Sequence, residues 1–264
     1  MSLLYWGWTE DRLRTDLAGC DSIIDAGCGK DSMIGAFNCY KIGVDLWQPY
    51  IDDSKRKRLH NEYVNGDILE YLKMCKDKSI DGIYFGAVVE HVDAVKGKLF
   101  LLEAERVARK KVIVITTNGY IRHEEIDGNP YQAHLSGWYV DYFKSIGYEV
   151  YGLFGIRPLR GEAGVTKIKP VILGETISNL TQYFTYKHPN YAFELYAVRD
   201  TRMQAVIVIQ GLSNTEQIPI HCISKATELE SKGYHIIIIP EIKITQEDIK
   251  SADLLIRIRA DGLE

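Results

Sequence analysis

Three aspartates stand at or just past the ends of three successive apolar runs: Asp25 after Ser22-Ile23-Ile24, Asp45 after Tyr40-Lys41-Ile42-Gly43-Val44, and Asp67 after Tyr63-Val64-Asn65-Gly66. The first is followed by Gly27-Cys28-Gly29. Two glycines one residue apart let the backbone reverse without a Cβ in the way, so a nucleoside-sized or phosphate-sized group can approach the main chain and the start of a following helix. Ser32 to Phe37 reads as the beginning of that helix. Asp45 falls where βαβ nucleotide-binding units place an acid on the ribose hydroxyls. The chemistry these residues can do is that of a nucleotide-type cofactor site on a strand, turn and helix.

The residues after Gly29 discriminate between cofactors. A dinucleotide fingerprint needs Gly or Ala at position 32, where this chain has Ser32. A phosphate loop needs Gly-Lys and a hydroxyl residue, but Gly29-Lys30-Asp31 lacks the hydroxyl and the glycine four residues earlier. Asp25-Ala26-Gly27-Cys28-Gly29 does resemble the D-x-G-x-G motif of class I S-adenosylmethionine-dependent methyltransferases, with Asp45 as the second-strand acid and Gly66-Asp67-Ile68 as the G-D pair that frames the adenine. Val88-Val89-Glu90-His91-Val92 is similar to the L-E-H segment after the fourth strand of small-molecule and ubiquinone-type members. The resemblance covers about residues 1–200. It implies S-adenosyl-L-methionine as the cofactor, held by Asp25, Gly27, Cys28, Gly29, Asp45, Leu46, Trp47, Asp67, Ile68, Gly86, Glu90 and His91, with Trp47 stacked on the adenine. One departure is Asp31, where many members carry a third glycine; its carboxylate could cap the helix or approach the sulfonium, and it would repel a pyrophosphate.

A hydroxyl or amine acceptor needs a base on the strand-end face. His91 and His134 are the candidates. In the resemblance Glu90 and His91 lie on the cofactor side, and His134 falls where such enzymes place acceptor contacts, which makes His134 the catalytic candidate. His123, Glu124 and Glu125 have metal-ligand chemistry, but adjacent loop residues rarely chelate alone, so this reads as a solvated loop and no metal is expected. Cys28 reads as a small apolar filler under the cofactor. Tyr5-Trp6-Gly7-Trp8 precedes the first strand and offers aromatic faces that could close over a sulfonium or pack on the sheet.

The elements that must position these residues alternate. Helices are expected over 48–59 and 68–75, a strand over 80–85, and a helix over 92–109 with Val95, Leu99, Leu102 and Val107 on one side. A β-branched strand over 111–117, a helix over 135–146 stopped by Gly147 and a strand over 148–153 come next. The last strand of the set covers 191–198. This is an α/β fold with a doubly wound, Rossmann-like, seven-stranded sheet, its ligand at the carboxyl ends of the strands. Residues 155–190 are an insertion before the last strand: a lid or a packing decoration, with a helix over 173–182. As a lid it would offer Arg157 and Arg160 to an anionic substrate group. Beyond 200 a second βαβαβ pattern appears, with strands over 205–209, 235–239 and 253–258 and helices over 218–232 and 245–251. It reads as a partial second α/β unit, of glycosyltransferase type by analogy, with Leu263-Glu264 resembling a vector scar that truncates it.

The 264 residues are 46% hydrophobic with a formal charge of −4 and no basic stripe, which argues against a nucleic-acid partner. Five cysteines without C-x-x-C spacing, and no signal peptide or membrane-length apolar run, point to a cytoplasmic protein. The function expected is methyl transfer by in-line displacement to a small-molecule, sugar or lipid-linked acceptor. The alternatives are an NAD-binding oxidoreductase and a non-catalytic methyltransferase-like scaffold attached to a glycan-active domain. The acceptor and the oligomeric state stay open.

Overall fold

The computed structural model describes residues 3–125, 128–161, 164–210, 218, 220–231, 234–240, 243, 245, 248 and 252–259. The chain divides into two compact units, Met1–Thr201 and Arg202–Glu264.

The first unit runs α1 (Leu3–Asp16), β1 (Ser22–Ala26), β2 (Tyr40–Asp45), α2 (Gln48–Lys57), β3 (Glu62–Asn65), α3 (Ile68–Met74), β4 (Ile80–Gly86), α4 (Ala94–Val107), β5 (Ala108–Thr117), α5 (Val140–Ser145), β6 (Glu149–Ile156), α6 (Val171–Lys187) and β7 (Ala192–Asp200). Its seven strands are ordered β3-β2-β1-β4-β5-β7-β6. β1 to β5 pair in parallel, and β7 runs antiparallel to both β5 and β6. β5 shows why the sheet is buried on both faces. Val112 and Val114 enter one apolar cluster with Phe100 and Leu101 of α4, while Ile113 and Ile115 enter another with Leu13 of α1 and Leu17 just after it. Between β1 and β4 the chain order reverses, and ligands bind beyond the strand ends at such a point.

Three local expectations are corrected. Residues 33–36 form a turn and not a helix: Gly35 N–H donates to Ser32 O and Phe37 N–H to Ile34 O, and the chain enters β2 at Tyr40. A stretch this short, with a glycine in its middle, cannot sustain a helix. On α4 the buried face is Gly97, Phe100, Leu101, Ala104 and Val107, while Val95 and Leu102 are 70% and 62% exposed and Leu99 is also exposed. Trp138 sets this rotation, since a Cβ on Gly97 would come within 2.4 Å of its ring. The expected helix over 135–146 shrinks to α5. Leu135 and Ser136 N–H both donate to Glu90 O, and Gly137 lies against the backbone of Tyr120, so this stretch is held extended.

The insertion carries α6, longer than expected, against β6. Arg160 is buried within it; its guanidinium donates to Phe154 O (2.7 Å) and pairs with Glu175 (3.1 Å). It is committed to tying the insertion and is not available to a substrate anion.

The second unit holds β8 (Met203–Gln210), α7 (Ile220–Ser231), β9 (Tyr234–Pro240) and β10 (Leu254–Arg259), with a parallel sheet ordered β10-β8-β9. Ile207, Ile209, Cys222, Ala226 and Leu229 form its core. Most of the helix expected over 245–251, the segment 211–217 and Leu263-Glu264 lie outside the described residues.

Candidate active site

At the carboxyl ends of the strands of the first unit lies a cavity of about 680 Å³, within the range of sites that enclose a drug-sized ligand. One end is built on the glycine turn. Gly27 and Cys28 N–H both donate to Val44 O (2.7 and 3.0 Å), which folds the turn over β2. Gly27 has φ +78°, and a Cβ there would strike Val88 at 2.4 Å. Gly29 has φ +55° and nothing within 4 Å of where its Cβ would stand, so bare backbone faces open space. Its N–H donates to Asp45 Oδ2 (2.9 Å), and Trp47 N–H donates to Oδ1 (2.8 Å). Burial pushes the Asp45 carboxyl above its ordinary range against the pull of these two donors.

Asp67 begins α3, its Oδ1 accepting from Leu69 and Glu70 N–H. Burial works against its charge, but Lys96 Nζ, 2.6 Å from Oδ2, and the two N–H groups hold the carboxyl below its usual value. Asp25, Gly27, Cys28, Gly29, Asp45, Leu46, Asp67, Ile68, Gly86 and His91 all line the cavity. Burial and the nearby Asp25 and Asp45 keep the Cys28 thiol protonated. Asp31 also reaches the wall, but there is no helix for it to cap and its carboxylate pairs with Lys57.

Two expected cofactor residues are not on the wall. Trp47 heads α2 and meets the Tyr131 ring edge-on at 6.2 Å, while its neighbour Leu46, 42% exposed, faces the cavity in its place. Glu90 is 1% exposed and accepts a hydrogen bond from Thr116 Oγ1 (2.9 Å). Of the expected substrate residues, Arg157 does not line the cavity either; its guanidinium approaches Tyr120 O at 3.5 Å. At the N-terminus Trp8 packs on Tyr183 and Tyr186 of α6, and the side chains of Tyr5 and Trp6 lie outside the described residues.

The cavity is also lined by Tyr84, Ile115, Phe154 and Glu194, and by Asn129, Tyr131, Gln132 and Leu135 from the β5–α5 loop. Phe154 takes φ +63° where β6 breaks register, and Ala87 takes φ +55° just after β4. Left-handed backbone at non-glycine residues is costly and concentrates at functional sites. Burial pushes the Glu194 carboxyl up to about 8, with the charge of Glu90 adding to it and Arg160 opposing. Sequence reasoning passed over Glu194 as one residue of a strand; a lone carboxylate among Ala192, Phe193, Leu195 and Tyr196 was the signal.

His134 is buried and does not line the cavity. Its Nδ1 lies 2.7 Å from Ile121 O, and its ring meets those of His91 and His123 at 4.8 and 5.0 Å. Burial holds the imidazoles of His91 and His134 towards the neutral form, with Glu90 opposing this at His134. Glu90, His91 and His134 together present one ligand atom each within 4.8 Å of one another, a donor cluster that their sequence positions did not reveal.

Residues 24–116, from β1 to β5, match the family described as a methyltransferase domain. Over this stretch the chain carries a methyltransferase domain. The open space beside Gly29 with Asp45 behind it is a cradle of the kind an S-adenosylmethionine cofactor needs. Among solved structures the methyltransferase domain is similar to a SAM-dependent methyltransferase from Archaeoglobus fulgidus, at 19% identity over 74% of this chain and 94% of that one, with a TM-score of 0.48. It is also similar to the magnesium protoporphyrin IX methyltransferase of Synechocystis PCC 6803 with bound SAM, at 14% identity over 74% and 77%, TM-score 0.42. No curated protein matches. Nothing in the fold or the described site of the methyltransferase favours a nicotinamide dinucleotide or a non-catalytic scaffold.

Proposed function

We propose that this methyltransferase acts on a hydroxyl or amine of a small-molecule, sugar or lipid-linked acceptor held in the cavity beside Phe154 and Glu194, with Glu194 as the base. The observation that carries this reading is a carboxyl group on the cavity wall whose proton affinity is raised to about 8. A base works best when its pKa lies near the working pH, and such help adds about 10²–10⁴ in rate. The bound cofactor supplies an activated methyl group. The chain supplies the rest. Asp45 accepts from the ribose hydroxyls, the Gly27–Gly29 backbone takes the close approach, Leu46 and Ile68 flank the adenine, and Tyr84, Ile115 and Phe154 exclude water around the acceptor. Alignment in a closed site of this kind is worth roughly 7–11 kcal/mol. His134, set back from the wall, does not take the base role.

In this reading residues 1–201 carry the reaction, 155–190 brace β6, and 202–264 are a separate α/β unit. The described cysteines are free, which agrees with a reducing cytoplasm. Among the described residues no helix is long and apolar enough to cross a membrane. The test is methyl incorporation from labelled S-adenosylmethionine across a panel of hydroxyl and amine acceptors, followed by Glu194→Gln on the best of them. Turnover should fall by about 10²-fold or more while S-adenosylhomocysteine affinity holds. Unchanged turnover would remove Glu194 from the role.

A further inference from the structure

Glu90 and His91 lie on the 3₁₀ turn Val89–His91 just after β4, and His134 lies in the loop between β5 and α5. Neighbouring strand ends thus bring together one carboxylate oxygen and two ring nitrogens within 4.8 Å. Each imidazole is oriented from behind. His91 Nδ1 lies 3.3 Å from Ala133 O and His134 Nδ1 lies 2.7 Å from Ile121 O. A carbonyl can only accept, so the proton sits on Nδ1 in both rings and each Nε2 keeps its lone pair. Metal-binding histidines carry this backing, because it fixes the tautomer and the ring direction. Glu90 is oriented likewise by Thr116 Oγ1 at 2.9 Å, and among the described residues no lysine or arginine pairs with it. Burial favours the neutral acid at Glu90, and a bound cation would offset that cost and hold it as a carboxylate.

We propose that Glu90, His91 and His134 bind one divalent transition-metal ion of the zinc class. Two imidazoles and a carboxylate suit zinc, whereas calcium and magnesium take oxygen ligands. A tetrahedral zinc ion with bonds of about 2.0–2.1 Å needs ligand atoms roughly 3.3 Å apart, so the widest separation must close by about 1.5 Å through side-chain rotation. Three protein ligands leave a fourth position for water.

The site ties two parts of the cavity wall together. Leu135 and Ser136 N–H already donate to Glu90 O, and the same loop carries Asn129, Tyr131 and Gln132 to the cavity, which His91 also lines. Bound metal would hold that loop against the end of β4. The proposal stands or falls separately from the role of Glu194.

The test uses the full chain with any affinity tag removed and metal stripped by chelator. Cobalt(II) titration should give the intense visible bands of a tetrahedral nitrogen and oxygen site, and zinc should displace it at one equivalent per chain. His91→Ala with His134→Ala should weaken zinc binding at least about 100-fold, Glu90→Gln at least about 10-fold, and the surface change His188→Ala not at all. Far-UV circular dichroism and a cooperative thermal melt report whether each variant is folded. Because the wild-type cobalt spectrum needs no variant, its absence at micromolar protein overturns the site. A folded double variant that binds zinc as tightly as the wild type overturns it too.

Discussion

His60 Nε2 donates to Asp25 Oδ2 at 2.7 Å, and Ser54 Oγ lies 3.1 Å from the other ring nitrogen, all three side chains being buried. The order Ser, His, Asp is that of a hydrolase triad, yet Ser54 is wholly enclosed and has no access to a substrate. The series instead fastens the start of the glycine turn to α2 and the loop before β3. Removing His60 leaves a buried carboxylate short of a partner. His60→Ala should therefore cost roughly 3 kcal/mol of unfolding free energy. Denaturant unfolding measures it, and a loss under about 1 kcal/mol would show that the pair does not brace the turn.

Gly29→Val tests the cradle. The substitution places a β-branched side chain at φ +55° and fills the open space beside the backbone. S-adenosylhomocysteine binding should be lost by calorimetry while a cooperative melt persists. Normal binding would mean that the cofactor does not approach this turn.

Asp45→Ala removes charge-assisted hydrogen bonds worth about 1.5–3 kcal/mol each, so S-adenosylhomocysteine should bind at least tenfold more weakly. It should also lower the melting temperature of the ligand-free protein, because Gly29 and Trp47 N–H lose their acceptor. The sequence alone predicts no such second effect. A melt that drops without any loss of affinity would leave Asp45 a brace and not a ligand.

Glu194 gives a pH signature with a definite sign. Its carboxyl is raised from 4.5 to about 8, so the folded state binds a proton that the unfolded chain has released. Stability should fall as pH rises from about 5 to 8, and Glu194→Gln should flatten that slope. Turnover should rise over the same interval as the base ionises. Urea midpoints across pH, for wild type and variant, check the first half; a slope unchanged by the substitution would assign it to another group.

The order of strands and helices was legible because it rests on local chemistry. β-Branched runs such as Val112–Ile115, a capping Asp67 ahead of an apolar helix, and glycines that permit reversal all act within a few residues of themselves. The same holds for Asp25, Gly27, Gly29, Asp45 and Asp67, whose spacing already places them at strand ends that parallel pairing brings side by side.

Features decided by contacts across the chain were not legible. Which face of α4 is buried depends on Trp138, forty-one residues beyond Gly97. That Leu46 and not Trp47 faces the cavity depends on where α2 starts and on Tyr131. Arg160, exposed in any reading of its neighbours, is buried because Glu175 and the carbonyls of Phe154 and Gly164 surround it. Glu194 acquires its proton affinity only when β7 is slotted between β5 and β6, and the Glu90–His91–His134 cluster forms only when two loops after neighbouring strands meet. Local sequence determines backbone form, since the energies involved are set within a turn or a strand. Burial, direction and proton affinity come from groups far apart in the chain, so only the tertiary structure decides them.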